Sequence, residues 1–188
     1  MEFIKNYLRA IVPLSDESMN LILSCVVEEQ FAKNSVLLTQ GCPNSYMYVI
    51  KEGLVKGFVE SDGKEICLSF WGENETFGDV VTYLTGDKAT KSYIALENLI
   101  VYKFEIQQFR SFFDTNYQIC NLGRILTEHY ILRKKFEDQI YQIIDPFERY
   151  KYLSEFRKQI IHRLKGKDLA SYLRVTPETL SRIRKRPL

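Results

Sequence analysis

The stretch Leu54-Val-Lys-Gly-Phe-Val-Glu-Ser-Asp-Gly-Lys-Glu-Ile-Cys-Leu-Ser-Phe70 decides the fold class of the chain. Two alternating runs flank Asp62-Gly63, and an Asp-Gly pair in that setting is the strongest short-range signal for a β-hairpin. Similar short runs, separated by turn residues, extend from about Phe31 to Glu105; they cover 35–38, 46–50, 92–95 and 99–104. Several short strands at this spacing predict a small antiparallel barrel or sandwich.

Helical periodicity flanks the strand region on both sides. Before it, apolar residues recur at helical spacing until Pro13, and Ser15 is the expected N-cap of a second helix. After it, a helical pattern runs from about 106 to 144 and ends at Asp145-Pro146, because proline biases the preceding residue toward extended backbone. The predicted fold class is therefore α+β, with an N-terminal antiparallel β-barrel between helices.

A stripe of side chains at 3-4 spacing runs along the long helix for more than three heptads. Such a stripe predicts the seam of a two-helix coiled coil, and hence a homodimer, in which a histidine and an arginine set the register. The alternative is that the stripe packs only on the chain's own barrel. The predicted interface residues are Ile119, Leu122, Leu126, His129, Arg133, Phe136 and Ile140.

Charge is unevenly distributed along the 188 residues, although the formal net charge is only +2. Residues 146–188 hold 12 Lys or Arg against four acids, whereas residues 1–145 hold 14 Lys or Arg against 20 acids. An acidic body joined to a basic end favours a nucleic-acid partner at that end. The alternative is a solvated charged face with no binding role.

Several function classes are disfavoured by composition. The apolar runs are far shorter than the roughly 20 residues of a membrane span, and the first residues lack a signal-peptide pattern, so a cytoplasmic protein without a membrane partner is expected. The four cysteines form no CxxC pair and only two histidines exist, so no metal site or cofactor is expected. The strand region contains no histidine, no paired-carboxylate motif and no Gly-rich phosphate loop; no catalytic residue and no enzyme activity are predicted.

Two short helical segments joined by a tight turn lie at the C-terminal end, over 167–173 and 177–186. Thr176 is the expected N-cap of the second, and Pro177 occupies its first position. Apolar residues join the helices and leave polar and basic side chains on the other face, which is the pattern of a helix-turn-helix that binds base edges and phosphates. The predicted DNA-binding residues are Thr176, Glu178, Thr179, Ser181, Arg182, Lys185 and Arg186.

The segment Asp168-Leu-Ala-Ser-Tyr-Leu-Arg-Val-Thr-Pro-Glu-Thr-Leu-Ser-Arg-Ile-Arg184 resembles the helix-turn-helix of the cyclic-AMP receptor protein/FNR (Crp/Fnr) family of bacterial transcription regulators. The strand region resembles the cyclic-nucleotide-binding domain of the same family. The matching motifs are Gly41, Tyr48-Val-Ile-Lys-Glu-Gly53, Asp62-Gly-Lys-Glu65, Phe77-Gly-Asp79 and Ala95-Leu-Glu-Asn98. In this order the motifs cover essentially the whole chain.

The resemblance implies a barrel of the double-stranded β-helix or jelly-roll type and three regions. These are a sensor domain over 1–114, a dimerisation helix over 115–145 and a helix-turn-helix domain over 146–188. It further implies a homodimer that binds near-palindromic double-stranded DNA, with RNA polymerase as a further partner. The alternative is a small-molecule-sensing or protein-interaction module of the same ancestry with weak or no DNA binding.

Carried over residue by residue, Glu178 and Arg182 match base-reading positions of the family. Pro177 stands where some members have another base-reading arginine, which implies a different target sequence. Family members usually follow the recognition helix with a two-stranded wing, whereas this sequence stops at Leu188, so no evident wing is expected. The basic end is expected to contact phosphates instead.

The expected effector pocket departs from the cyclic-AMP pattern. Family members that bind cyclic AMP use a Glu on the ribose and an Arg, about 11 residues after a Gly, on the phosphate. Here the acid is Asp79 and the arginine position is Ala89, so a bidentate charge-assisted contact is missing. A barrel with a net negative charge is also expected to bind an anionic nucleotide poorly. Cyclic AMP is therefore not expected as a tight ligand, and the effector is unknown. The predicted pocket residues are Gly78, Asp79, Val80, Lys88, Ala89, Thr90 and Lys91.

Overall fold

A computed structural model describes residues 1–186. The prediction that no wing follows the last helix also concerns Pro187 and Leu188, which lie outside the described residues. The helices are α1 (Glu2–Ile11), α2 (Asp16–Ser24), α3 (Val80–Thr85), α4 (Ile106–Ser111), α5 (Tyr117–Gln142), α6 (Pro146–Phe156), α7 (Lys158–Ile161), α8 (Gly166–Tyr172) and α9 (Pro177–Arg184). The strands are β1 (Val26–Phe31), β2 (Val36–Leu38), β3 (Tyr46–Glu52), β4 (Val55–Ser61), β5 (Lys64–Trp71), β6 (Thr76–Phe77), β7 (Ser92–Ala95) and β8 (Leu99–Glu105).

The strands form two four-stranded antiparallel sheets, so of the two predicted alternatives the sandwich is observed and a closed barrel is not. The first sheet has the order β1-β8-β3-β6 and the second has the order β2-β7-β4-β5. Side chains of both sheets share one buried cluster that includes Tyr48, Val55, Trp71 and Val101, so the sheets pack face to face. We refer to residues 26–105 as the two-sheet body.

The β4–β5 hairpin confirms the prediction drawn from Asp62-Gly63. Ser61 pairs with Lys64 across the turn, and both central residues have positive φ, 52° at Asp62 and 71° at Gly63. Turns of this kind match the right-handed twist of the two strands, which is why Asp and Gly are favoured in them.

Two further cores lie outside the sheets, and α5 contributes to both. The N-terminal helices, α4 and the beginning of α5 cover the first sheet, with Ile119 and Leu122 fully buried there. Helices α6 to α9 and the end of α5 pack against β5, with Ile140 fully buried there. Helices α6 to α9 lie in residues 146–186, which we refer to as the C-terminal segment, and this segment therefore shares its core with the two-sheet body.

Burial of these side chains corrects the predicted coiled-coil seam. Ile119, Leu122 and Ile140 have no exposed surface within the single chain, so they are not available to a second helix. Leu126 and Phe136 are partly buried on the same two cores, and Arg133 forms ion pairs with the chain's own carboxylates. Only His129 of the seven predicted residues is exposed. The ends of the stripe therefore pack on the chain's own cores, whereas dimerisation through α5 stays a prediction.

Within residues 1–186, no helix has both the length and the apolar character needed to cross a membrane.

Candidate functional site

Helices α8 and α9 are held together by buried apolar side chains, which include Leu169, Leu173, Leu180 and Ile183. Four residues, 173–176, connect them, and the Val175 amide donates to the Ala170 carbonyl at 2.9 Å. This arrangement orients α9 so that one long face is exposed. The exposed residues on and just after α9 are Pro177, Glu178, Ser181, Arg182, Arg184, Lys185 and Arg186.

The start of α9 is formed as its sequence predicts. Thr176 is the N-cap, and its hydroxyl oxygen accepts from the Thr179 amide at 3.2 Å. The Thr179 hydroxyl in turn accepts from the Arg182 guanidinium at 3.1 Å, which holds that arginine along the exposed face. Hydrogen bonds from its own backbone amide and from Thr176, together with nearby Arg182, lower the pKa of Glu178. The Glu178 carboxylate therefore stays ionised and acts only as an acceptor.

Two basic side chains next to this face rest on aromatic rings. The Arg186 guanidinium lies 4.0 Å from the ring centroid of Phe147 on α6. Arg174, in the connection, has a φ of 53° and lies 4.0 Å from the ring of Tyr141 on α5. Cation–π contacts of this kind contribute about 0.5–1 kcal/mol at exposed sites. Arg186 is thus partly engaged within the chain, although it remains exposed.

A buried ion pair fastens α8 to the two-sheet body. The Lys56 ammonium on β4 donates to Asp168 on α8 at 3.0 Å and to Glu65 on β5 at 2.8 Å, and the side chains of Lys56 and Asp168 are each only 6% exposed. Burial alone lowers the pKa of Lys56, but the two carboxylates outweigh it and the net shift is upward. Beside this pair, the Cys67 amide donates to the Ser171 hydroxyl at 3.0 Å.

Three arginines add a second layer of contacts between the helices and the body. Arg163 binds Glu73 through two hydrogen bonds of 2.7 and 2.8 Å and also pairs with Glu97. Glu75 accepts from Arg133 on α5 and from Arg157 at the end of α6, each at 2.8 Å. Glu75 therefore links the long helix and the C-terminal segment to one turn of the body.

An open cavity of about 680 Å³ lies beneath the middle of α5. Both ends of α5 are anchored on a core, whereas its middle turns span the space between α4 and the two-sheet body. Most of the wall is apolar. Its apolar side chains include Val49, Phe77, Phe104, Phe109, Leu126 and Phe136.

The charged side chains in the cavity wall are mostly cationic. Six are Lys or Arg and two are Glu, which reverses the acidic character that the sequence indicates for this part of the chain. Most of them are already paired: Arg133 and Arg157 with Glu75, Lys134 with Glu137 and Asp138, and Arg124 with Glu128 outside the wall. The cations are Lys91, Arg110, Arg124, Arg133, Lys134 and Arg157.

The predicted effector residues divide between this cavity and its surroundings. Gly78, Val80 and Lys91 belong to the cavity wall, as do Leu126, His129, Arg133 and Phe136 of the predicted seam. Four predicted residues do not belong to the wall: Asp79, Lys88, Ala89 and Thr90. The Ala89 backbone is bonded instead to the loop at Gly41 and Cys42, at 2.8 Å in both directions.

Asp79 is buried and already has partners. Its carboxylate accepts from the Thr90 amide at 2.8 Å and from the Thr90 hydroxyl at 2.6 Å. Burial raises the pKa of Asp79, the hydrogen bonds from Thr90 lower it, and the net shift is downward. The two donors of Thr90, at the position next to the missing phosphate-binding arginine, are therefore occupied by the carboxylate of the same chain.

Sequence reasoning missed Glu75 and Arg157, which are central to the contacts around the cavity. Neither lies in a motif or in a periodic stripe, and they are 82 residues apart along the chain. The signal that was available is the charge pattern itself, because a net acidic body and a basic end attract each other as well as outside partners.

Comparison with known proteins places this geometry in a described fold. Residues 28–116 match the family model for the cyclic nucleotide-binding domain. No curated protein sequence matches the chain significantly. At the identities below, similarity to solved structures shows a shared fold.

Three solved structures are similar over most of both chains. FixK2 from Bradyrhizobium japonicum is 18% identical with a TM-score of 0.72, and the match covers 85% of this chain and 82% of that one. The c-di-GMP-responsive global regulator CLP from Xanthomonas campestris is 16% identical with a TM-score of 0.66, covering 91% and 90%. The catabolite activator protein from Thermus thermophilus is 19% identical with a TM-score of 0.57, covering 95% and 84%.

Proposed function

We propose that this protein is a homodimeric transcription regulator of the Crp/Fnr type that binds a specific, near-palindromic DNA site through α9. One observation carries the proposal. The end of the chain presents a capped helix with Glu178, Ser181 and Arg182 exposed on one face, and that helix follows a two-sheet body and a long helix in a fold shared with FixK2 and the catabolite activator protein.

The proposed contacts follow from the chemistry of this face. Arg182 binds guanine through two parallel hydrogen bonds in the major groove, and Glu178 accepts from a cytosine amino group. Thr176 and Thr179 lie at the positive end of the helix, where phosphate oxygens are favoured. Lys185 and Arg186 contribute phosphate contacts, and Arg186 leaves the Phe147 ring to do so. In a dimer the two recognition helices would enter successive major grooves about 34 Å apart.

A DNA-selection experiment on the purified protein tests this proposal directly. It should enrich a near-palindromic site, and Arg182→Ala should weaken binding to that site by about 1–3 kcal/mol, or about 5- to 150-fold. Lys33→Ala is the matched control, because it removes an exposed charge from the two-sheet body and should leave the affinity unchanged.

Salt dependence separates base reading from phosphate binding. The affinity should fall steeply as the salt concentration increases. Lys185→Ala should reduce the slope of log affinity against log salt concentration by about one, because one phosphate contact and its released counterion are lost. Failure to enrich any palindrome would instead favour the alternative function, a sensing or protein-interaction module without DNA recognition. RNA polymerase is a further proposed partner of the DNA-bound dimer.

The same proposal includes an effector other than cyclic AMP. The donors of Thr90 are engaged by Asp79, and the position before Thr90 is the small, buried Ala89. A cyclic phosphate at that place would have to displace a carboxylate and would repel it. Calorimetric titration with cyclic AMP should show no binding at micromolar concentrations, and micromolar affinity would refute this part of the proposal.

A further inference from the structure

We propose that the cavity beneath the middle of α5 binds a ligand with an apolar body and a single anionic group, and that Lys91 is the counterion of that group. The identification of this ligand as the effector rests on the proposed function; its binding does not.

The apolar body is inferred from the shape and lining of the cavity. About 680 Å³ lies within the range of small-molecule sites, and aromatic and aliphatic side chains make up most of the wall. Phe77 enters from β6, Phe104 from β8, and Leu126 and Phe136 from α5, so apolar surface faces the space from several sides. Burial of a ligand's apolar surface against these side chains favours binding.

The anionic group is inferred from Lys91. Its ammonium lies 5.8 Å from the ring centroids of both Trp71 and Tyr93, and among the described residues it forms no ion pair. Burial lowers the pKa of Lys91, and attraction to Asp79 and Glu137 offsets this only in part. A desolvated ammonium beside apolar rings gains strongly from a carboxylate or sulfonate brought in by a ligand.

The other charges in the wall favour Lys91 as the binding cation. Arg133 and Arg157 are paired with Glu75, and Lys134 is paired with Glu137. Both wall carboxylates are themselves engaged, since Glu137 also accepts from the Ser69 hydroxyl at 2.6 Å. The hydroxyl groups of a ribose would therefore meet two carboxylates, Glu75 and Glu137, that already accept hydrogen bonds from other donors. A hydrophobic acid fits this distribution of charge better than a nucleotide does.

Two fluorescent probes with the same aromatic body distinguish the two parts of the inference. 1-Anilinonaphthalene-8-sulfonate carries one sulfonate, and N-phenyl-1-naphthylamine is its uncharged counterpart. The folded protein should bind each probe at one saturable site and bind the sulfonate more tightly. Millimolar cyclic AMP should not displace either probe.

Lys91→Met keeps the length of the side chain and removes its charge. It should weaken binding of the sulfonate about tenfold and leave binding of the uncharged probe unchanged. Lys134→Met is the matched control, because it removes a cation of the same wall that is half exposed and already paired; it should change neither affinity appreciably. Retained binding of the uncharged probe shows that the Lys91 variant keeps the cavity.

Thr127→Trp locates the site, because Thr127 is a wall residue and the larger ring would fill the cavity. It should weaken both probes at least fivefold. The inference is overturned if Lys91→Met leaves sulfonate affinity unchanged, if the uncharged probe binds as tightly as the sulfonate, or if Thr127→Trp affects neither. None of these measurements involves DNA, so their failure would leave the proposal for α9 intact, and failure of DNA binding would leave them interpretable.

Discussion

Glu73 is the residue whose ionisation is most strongly stabilised by a partner from the C-terminal segment. The guanidinium of Arg163 donates two hydrogen bonds to its carboxylate, and the amide of Gly53 donates a third at 2.9 Å. Hydrogen bonds from Arg163 lower the pKa of Glu73 to about 2, from an ordinary value of 4.5. A depressed carboxyl pKa contributes stability that is present above the ordinary value and is lost as the pH falls toward the depressed one.

We therefore expect the contribution of Glu73 to disappear between about pH 4.5 and pH 2. Because its side chain is 35% exposed, we expect a contribution of only about 1 kcal/mol at pH 7 after solvent screening, or about 3 °C in Tm. Glu73→Gln should lower Tm by this amount at pH 7 and by clearly less at pH 3, as measured by thermal unfolding.

Glu52→Gln is the control for this measurement. Glu52 is also an acid of the two-sheet body, but it is exposed and forms no ion pair among the described residues. Its replacement should change Tm little at either pH. An equal effect of Glu73→Gln at pH 7 and pH 3 would contradict the assigned role of Arg163.

At the scale of single elements, α5 presents an outer face that the described residues leave exposed. Ile131 is 59% exposed and Leu132 is 64% exposed, between the two anchored ends of the helix. If the proposed homodimer forms through α5, this face must supply its apolar contacts, since Ile119, Leu122 and Ile140 are fully buried.

The double variant Ile131→Glu, Leu132→Glu should therefore shift the protein from dimer to monomer in sedimentation equilibrium, because a buried seam does not tolerate unpaired carboxylates. Tyr117→Glu introduces the same group at an 82% exposed position at the start of α5 and should leave the dimer intact. A dimer that persists in the double variant would place the interface elsewhere.

Elements with local signals could be predicted from the sequence. The N-cap at Thr176, the proline at the start of α6 and the Asp-Gly turn each act through neighbouring backbone groups, and each is observed. Strand β1 was missed because Val26-Val-Glu-Glu-Gln-Phe31 does not alternate, and the short α3 was missed because its six residues are too few to show a period. The break between α4 and α5 was also missed.

Long-range relations could not be predicted in the same way. A stripe of side chains at 3-4 spacing indicates that one face of the helix is buried, but it does not indicate which surface covers that face. This is why three residues of the predicted seam, Ile119, Leu122 and Ile140, face the chain's own cores instead. The effector site was predicted only in part for a similar reason. Gly78, Val80 and Lys91 lie in or near the motif, whereas the rest of the cavity wall comes from other strands of the two-sheet body and from helices that are distant in sequence.

At the scale of the whole molecule, the C-terminal segment and the two-sheet body are held together by a buried charge pair. Removal of Asp168 would leave Lys56 with Glu65 alone, because the contacts at 3.0 and 2.8 Å share one ammonium group. Asp168→Ala should lower the free energy of unfolding by about 2 kcal/mol, as measured by urea denaturation.

Asp138→Ala is the corresponding control, since Asp138 is 62% exposed and lies 4.0 Å from Lys134. An exposed pair of this kind contributes less than about 1 kcal/mol. Equal losses in the two variants would show that the contact between α8 and the body does not depend on the buried pair.

Because α8 packs on β5, the reactivity of one native thiol reports how often the C-terminal segment separates from the two-sheet body. Cys67 is 3% exposed, with its amide bonded to Ser171, and burial raises the pKa of its thiol, so it is shielded from alkylation. Cys42 and Cys120 are exposed and should react at once, whereas Cys25 lies in the separate core beneath the N-terminal helices. The rate at which iodoacetamide modifies Cys67, followed by mass spectrometry, would therefore measure how often α8 separates from the two-sheet body. No label has to be added to the protein beforehand.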